Sequence, residues 1–107
     1  MLFNRTNLYD SHFLTLALYW ASYGGHVEVV KTLLESKFIE INTQNKLGDT
    51  ALIAASIKGR AEVVQALVTA GADTRLKNNA GEDAKLAAND PSGKTVFLKE
   101  KYINIKL

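Results

Sequence analysis

Apolar and polar residues follow a helical period in the middle of the chain. Asp49 and Thr50 stand just before an apolar run and can cap a helix, because a side-chain oxygen there accepts a hydrogen bond from an otherwise unpaired amide. We predict a first helix over residues 51–58, ended by the glycine that follows it. A second helix over residues 61–69 places valine and leucine on one broad apolar face. Gly71 comes just after it, where a left-handed backbone is typical. The pattern predicts two antiparallel helices.

The same pattern recurs on both sides of this helix pair. Residues 24–34, GGHVEVVKTLL, match residues 58–68, KGRAEVVQALV, after a shift of 34 positions. A shift of 33 in the other direction superposes glycine and alanine positions: Gly81, Ala84 and Ala88 on Gly48, Ala51 and Ala55. Internal repeats of this length are typical of solenoids, in which each unit packs on its neighbours.

Residues 48–73 resemble the ankyrin repeat, whose consensus reads GxTPLHxAAxxGHxEVVxxLLxxGAD. The matching positions are Gly48, Thr50, Leu52, Ala55, Gly59, Glu62, Val63, Val64, Leu67, Gly71, Ala72 and Asp73. Residues 17–77 are similar to the ankyrin segment of the osteoclast-stimulating factor family, whose members are intracellular adaptors that join an SH3 domain to ankyrin repeats. The resemblance implies an all-α ankyrin-repeat solenoid of about three stacked helix-turn-helix units, both end units degenerate.

The resemblance also divides the chain. We expect an irregular leader or cap at 1–14, an ankyrin-repeat domain at 15–101 with units at about 11–44, 45–77 and 78–101, and a tail at 102–107. Leu14 stands where the loop-tip glycine belongs, and Lys85 stands where a consensus leucine packs. The consensus histidine that ties one unit to the next is Tyr19 in the first unit and Ile53 in the second. We therefore expect weaker polar ties between units. No SH3-like strand pattern precedes residue 11, so only the function of the repeats carries over.

Composition and charge limit the cellular compartment and the classes of partner that we expect. The chain has 107 residues, no cysteine and a formal charge of +2. The absence of cysteine excludes disulfides and fits a reducing compartment, so we expect a cytoplasmic protein. No apolar run reaches the roughly 20 residues that a membrane helix needs. The small net charge does not favour nucleic-acid binding, which normally shows as a basic stripe. We expect neither a membrane nor a nucleic acid as partner.

Two patterns that could carry chemistry are set aside. Residues 92–95, SGKT, resemble the end of a phosphate-binding loop, but Ala88 occupies the position where that loop needs its first glycine. His12 and His26 are the only histidines, and their spacing fits neither a zinc site nor a recognisable hydrolytic triad. We therefore expect no enzyme activity, no catalytic residue, no cofactor and no metal.

A protein-binding surface is expected on the concave side, where first helices and loop tips meet. In ankyrin domains the contacts come from loop-tip positions and from the two variable positions before the glycine that ends the first helix. The candidate residues at these positions are Tyr23, Lys46, Leu47, Asp49, Ile57, Lys58, Asn79, Ala80, Glu82 and Asp90. Ile57 is either an apolar anchor for a partner or a packing residue against Tyr23 and the neighbouring loop. Trp20, inside the first helix of the first unit, is expected to be mostly buried.

These observations favour a protein–protein interaction module, an adaptor or signalling scaffold fragment inside the cell. The alternative is a structural spacer within a larger protein, without a partner of its own. We expect a monomer, unless the N-terminal apolar face of the stack is left uncovered. The leader contains apolar residues that suit it to cover that face: Leu2, Phe3, Leu8, Tyr9, Phe13 and Leu14.

Overall fold

The computed structural model describes residues 11–88, and this part of the chain contains five helices and no strand. The helices are α1 (Ser11–Gly24), α2 (Val27–Leu34), α3 (Ala51–Ile57), α4 (Ala61–Thr69) and α5 (Ala84–Ala87). The first helices of successive units, α1, α3 and α5, pack side by side, while α2 and α4 pack behind α1 and α3 and against each other. The predicted all-α stack of helix pairs is confirmed.

Local signals fix the middle helix pair. Thr50 has an extended backbone, and its Oγ1 accepts a hydrogen bond from the Ile53 amide at 3.1 Å, so the helix begins where a cap was predicted. The second helix covers the predicted residues 61–69. Gly71 has a φ of +98°, which confirms the left-handed backbone expected there. Sequence and structure agree here because a cap and a glycine specify both ends.

The first helix differs from its counterpart in the middle unit. It has 14 residues, whereas α3 has seven. Residues 11–14, expected at the end of an irregular leader, instead form its first turn. The reason is Leu14, which replaces the loop-tip glycine of later units and lets the helix continue. Residues 1–10 and residues 89–107, which include Asp90 and the expected tail, lie outside the described residues.

The core lies between the two helical layers and is densest in the middle unit. Every residue of α3 except Ile57 is buried, and α4 contributes four buried valine and leucine side chains. The largest fully buried apolar side chains are Leu18, Leu52, Ile53, Leu67, Val30, Val63 and Val64. They come from both the first and the second unit, so the two units share one core.

Trp20 is not buried, and the expectation that it would be is wrong. It is 62% exposed, whereas Ala54, which occupies the equivalent position of the middle unit, is buried. Ala54 lies on α3, which packs against α1, but no described residue stands before α1 to cover Trp20 in the same way. The same repeat position is thus buried in α3 and exposed in α1, the first helix of the described range.

Candidate protein-binding surface

Each loop tip is a tight turn closed by an asparagine side chain. The Oδ1 of Asn45 accepts hydrogen bonds from the backbone amides two and four residues ahead, at 2.9 and 3.0 Å. Asn78 makes the same two bonds in the next tip, both at 3.0 Å. Gly48 and Gly81 turn the backbone at φ +82° in both. The sequence thus builds two tips of one design.

The two tips are joined by hydrogen bonds. The Asn79 backbone amide donates to the Leu47 carbonyl at 2.9 Å, and its side-chain amide donates to the Lys46 carbonyl at 2.8 Å. The Gln44 side-chain amide donates to the Lys77 carbonyl, also at 2.8 Å. The expectation of weaker polar ties, drawn from the missing consensus histidine, overlooked these bonds, because they use asparagine and glutamine of the tips instead.

Asp49, a predicted partner contact, supports the joint between the tips. Its side chain is buried, and its Oδ1 accepts a hydrogen bond from the Asn78 side chain at 2.9 Å. Burial raises the pKa of the nearby Tyr19 hydroxyl, the charge of Asp49 raises it further, and a hydrogen bond with Asn45 opposes both. Asp49 therefore offers little surface to a partner.

The ends of the first helices form the second part of the surface. Arg60 Nε donates to the Tyr23 carbonyl at 3.1 Å, so a cation meets the C-terminal end of α1. The Lys58 Nζ atom lies 5.2 Å from the centre of the Tyr23 ring, within cation–π distance. The Tyr23 ring also contacts Trp20 edge-on, with 5.6 Å between centroids, and stacks on Tyr19 at 6.3 Å. A cluster of aromatic rings with a lysine above it results.

Ile57 belongs to the packing of the middle unit. It is half-buried and contacts the core cluster, whereas the neighbouring Lys58 is exposed. Of the two interpretations left open by the sequence, contact with the structure around it is the one that this position favours. A charged substitution at Ile57 would therefore disturb the fold as well as any interface.

The predicted contact residues divide by exposure. The exposed ones are Tyr23, Lys46, Leu47, Lys58, Asn79 and Ala80; Ile57 and Glu82 are half-buried, Asp49 is buried, and Asp90 lies outside the described range. The sequence missed a cavity of about 210 Å³ between α1 and the first loop tip, lined in part by Leu16, Trp20 and Gln44. No sequence pattern signals this cavity, because its lining comes from α1 and from the tip of the next unit.

Residues 11–88 bring no three histidine or acidic side chains close enough together to hold a metal ion. No helix in that range has the length and apolar character needed to cross a bilayer. The same range also contains a larger hollow of about 520 Å³ between α2 and α4, lined in part by Lys31, Glu62 and Gln65.

Comparisons with known proteins follow the same repeats. A family model for ankyrin repeats in three copies matches residues 2–78. Ankyrin repeat domain-containing protein 29 of Danio rerio is 42% identical over 64 residues, which are 60% of this chain and 22% of that protein. A probable E3 ubiquitin-protein ligase of Oryza sativa subsp. japonica, XBOS32, is 41% identical over 73 residues, covering 66% and 14%.

A solved structure gives the same result for the fold. The ankyrin repeat domain of Bcl-3 matches with a TM-score of 0.71 at 28% identity, over 76% of this chain and 35% of that chain. The chain spans at most 22% of the length of the curated relatives named above.

Proposed function

Because this chain belongs to the ankyrin-repeat family, whose repeats are protein–protein interaction modules, we propose that it is an adaptor or signalling scaffold fragment that binds a protein partner in the cytoplasm. The proposed contact surface joins the helix-end residues Tyr23 and Lys58 to the loop-tip residues Lys46, Leu47 and Asn79. The similarity of this chain to the osteoclast-stimulating factor adaptors stays a prediction, which the relatives named above do not test.

The observation that carries the proposal is the position of Leu47. Its side chain is 64% exposed at the end of a loop tip whose backbone is fixed by hydrogen bonds within the tip and to the next tip. An exposed leucine contributes little to the scaffold, and because its backbone is already fixed, a partner that covers it orders little further backbone.

The cluster around Tyr23 supports the same surface. Aromatic side chains are enriched in protein interfaces, whose rims are polar. Tyr23 provides such a ring with Lys58 Nζ beside it, and the Arg60 bond to the Tyr23 carbonyl holds that end of α1 in place. A partner that presents an apolar side chain beside an acidic one would complement Leu47 and Lys58.

A matched pair of double variants tests the proposal. Leu47→Asp with Lys58→Glu changes the proposed surface, and Gln65→Glu with Lys31→Glu makes the same change in formal charge on exposed positions of the outer helices. Both variants should keep their helical circular dichroism, since all four side chains are exposed. Partners captured with the unmodified full-length gene product are identified first, and their affinities are then measured by calorimetry.

We expect the Leu47 and Lys58 variant to weaken binding by about 100-fold, since two anchor residues at about 1–2 kcal/mol each give that loss. The outer-helix variant should bind as the unmodified chain does. Equal affinities for all three chains would contradict the proposed surface. A gene product that captures no specific partner would favour the structural spacer.

A further inference from the structure

The cavity between α1 and the first loop tip combines apolar side chains with one acidic residue. We call it the tip cavity. Leu16, Tyr19 and Trp20 line it from α1, and residues 43–45 and Asp49 line it from the tip. Its volume is about 210 Å³. A cavity of about 150 Å³ holds a molecule the size of benzene, whereas pockets for larger ligands span about 300–1,000 Å³. The tip cavity therefore has room for one side chain.

Two aromatic rings belong to this lining. The rings of Tyr19 and Trp20 are 5.3 Å apart between centroids, and their planes meet at 87°. Trp20 is 62% exposed, so an occupant of the cavity can reach its ring. Aromatic rings attract cations, and the long stems of basic side chains pack on apolar surfaces. The rings and Leu16 therefore favour an occupant that carries a positive charge on an apolar stem.

Asp49 adds a negative charge to the same lining. The residue is only 7% exposed, and its Oδ1 accepts the hydrogen bond from the Asn78 side chain. Within residues 11–88, no lysine or arginine nitrogen lies within 4.0 Å of the Asp49 carboxylate, and His12 is the one basic residue of the cavity lining. Buried charges in proteins are normally paired. Asp49 is too enclosed to meet a flat partner surface, but a cationic side chain that enters the cavity supplies the missing counter-charge.

We propose that the tip cavity binds a lysine side chain of the protein partner. The aliphatic stem of that lysine lies against Leu16 and Trp20, and its ammonium group lies next to Asp49. The inference rests on the proposed function for the source of the lysine. Asn45 lines the cavity and belongs to the same loop tip as Leu47. A partner that covers Leu47 therefore passes close to the cavity.

Lysine is favoured over arginine by the bond that Asp49 already makes. A guanidinium group binds a carboxylate best as a fork, with one N–H directed to each oxygen. The Oδ1 of Asp49 is already used by the Asn78 side chain. An ammonium group is a compact point charge, and the second carboxylate oxygen is sufficient for it.

Small probes measure this binding on the full chain alone. n-Butylammonium has the stem and the charge of a lysine side chain, 1-butanol has the stem without the charge, and n-butylguanidinium carries the arginine group. Each is titrated at constant ionic strength and about pH 8, where an alkylamine is charged and a histidine of ordinary pKa is neutral. The NMR signals to follow are the indole N–H of Trp20, the only tryptophan, and the side-chain amide of Gln44, which also lines the cavity.

We expect saturable shifts of both signals with n-butylammonium, and binding at least about tenfold weaker for 1-butanol. Asp49→Asn keeps an oxygen for the Asn78 bond and should weaken n-butylammonium binding about tenfold. Glu62→Gln, the same charge change on an exposed position of α4, should leave it unchanged. The proposal is overturned by equal binding of 1-butanol, by tighter binding of n-butylguanidinium, or by the absence of saturable shifts.

A second set of variants remains decisive if Asp49→Asn fails to fold. Leu16 lines the cavity and is 47% exposed, so polar side chains are tolerated there. Leu16→Glu should bind n-butylammonium more tightly than Leu16→Gln does, and Leu16→Lys should bind it more weakly. All three variants lose the same apolar contact, so the comparison isolates the sign of the charge. Equal affinities in the three variants would rule out a cation in this cavity.

The partner captured with the full-length gene product tests where the lysine comes from. Asp49→Asn should lower its affinity about tenfold, and Glu62→Gln should not. If Asp49→Asn loses n-butylammonium but binds the partner as the unmodified chain does, the cavity does not take a lysine from that partner. Because n-butylammonium is titrated without a partner, its failure to bind differs from a failure of the Leu47 and Lys58 variant to weaken partner binding.

Discussion

Two serines at equivalent positions show how the same residue can differ in its contribution to stability. Ser22 in α1 and Ser56 in α3 are 34 positions apart, and both are fully buried. Ser56 Oγ donates a hydrogen bond to the Leu52 carbonyl at 2.8 Å. The Ser22 Oγ is buried without a hydrogen-bond partner among the described residues. A buried hydroxyl without a partner has lost its hydration and gained nothing in return.

We therefore expect Ser22→Ala and Ser56→Ala to have different effects on the free energy of unfolding. Ser22→Ala removes an unpaired polar atom and should leave the free energy of unfolding unchanged or raise it. Ser56→Ala removes a bond and should lower that free energy by about 1 kcal/mol. Urea denaturation with an unchanged m-value measures both, because alanine fits either helix without a new contact. A larger loss for Ser22→Ala would mean that its hydroxyl is paired after all.

At the scale of the elements, the loop tips depend on glycine for two separate reasons. Gly48 and Gly81 share a φ of +82°, which any other residue adopts only with strain. A Cβ on Gly48 would also lie 2.7 Å from the backbone nitrogen of Asn79, whereas a Cβ on Gly81 meets no described atom within 4 Å. The difference between the two positions thus isolates the contact between neighbouring tips.

The variants Gly48→Ala and Gly81→Ala separate the backbone strain from the contact between neighbouring tips. Both variants should lose about 1–2 kcal/mol to the left-handed backbone. Gly48→Ala should lose a further 1–3 kcal/mol or so, because the crowded atom is backbone and the joint between the tips must open. Thermal unfolding of both variants under identical conditions gives the comparison. Equal losses of stability in the two variants would indicate that the contact between the tips contributes nothing measurable to stability.

The sequence predicts the features that are set by local residues, but not those that depend on a neighbouring unit. The middle helix pair was predicted to within one residue at its boundaries, because the Thr50 cap and Gly71 act locally. The burial of Trp20 was predicted wrongly, and the burial of Asp49 was not anticipated, since the exposure of each side chain depends on a neighbouring unit. Asp49 is covered by the tip that contains Asn78, and Trp20 lacks a described unit in front of it. Position within the stack, which a single repeat does not encode, decides both.

For the whole molecule, neighbour contacts determine where stability is concentrated. The middle unit packs on both sides: α3 contacts α1 and α5, and α4 contacts α2. In stacked repeats, stability is approximately a sum of unit and interface terms, so a unit with two interfaces opens last. Within residues 11–88, the first and the third unit each have one neighbouring unit. The short α5 has four residues, and two of them, Lys85 and Leu86, are exposed.

This asymmetry predicts a gradient in native-state hydrogen exchange, followed by mass spectrometry or NMR. The amides of Ile53 to Ala55 should exchange only through global unfolding, because their side chains are buried between two helices. The amides of Ala87 and Ala88 should exchange fastest among the hydrogen-bonded helical amides, since α5 can open without disturbing the joint between α1 and α3. Leu67→Ala in the middle unit should accelerate exchange throughout α3 and α4, because it leaves a cavity in the shared core. Exchange in α5 as slow as in α3 would instead show that the third unit is packed as firmly as the second.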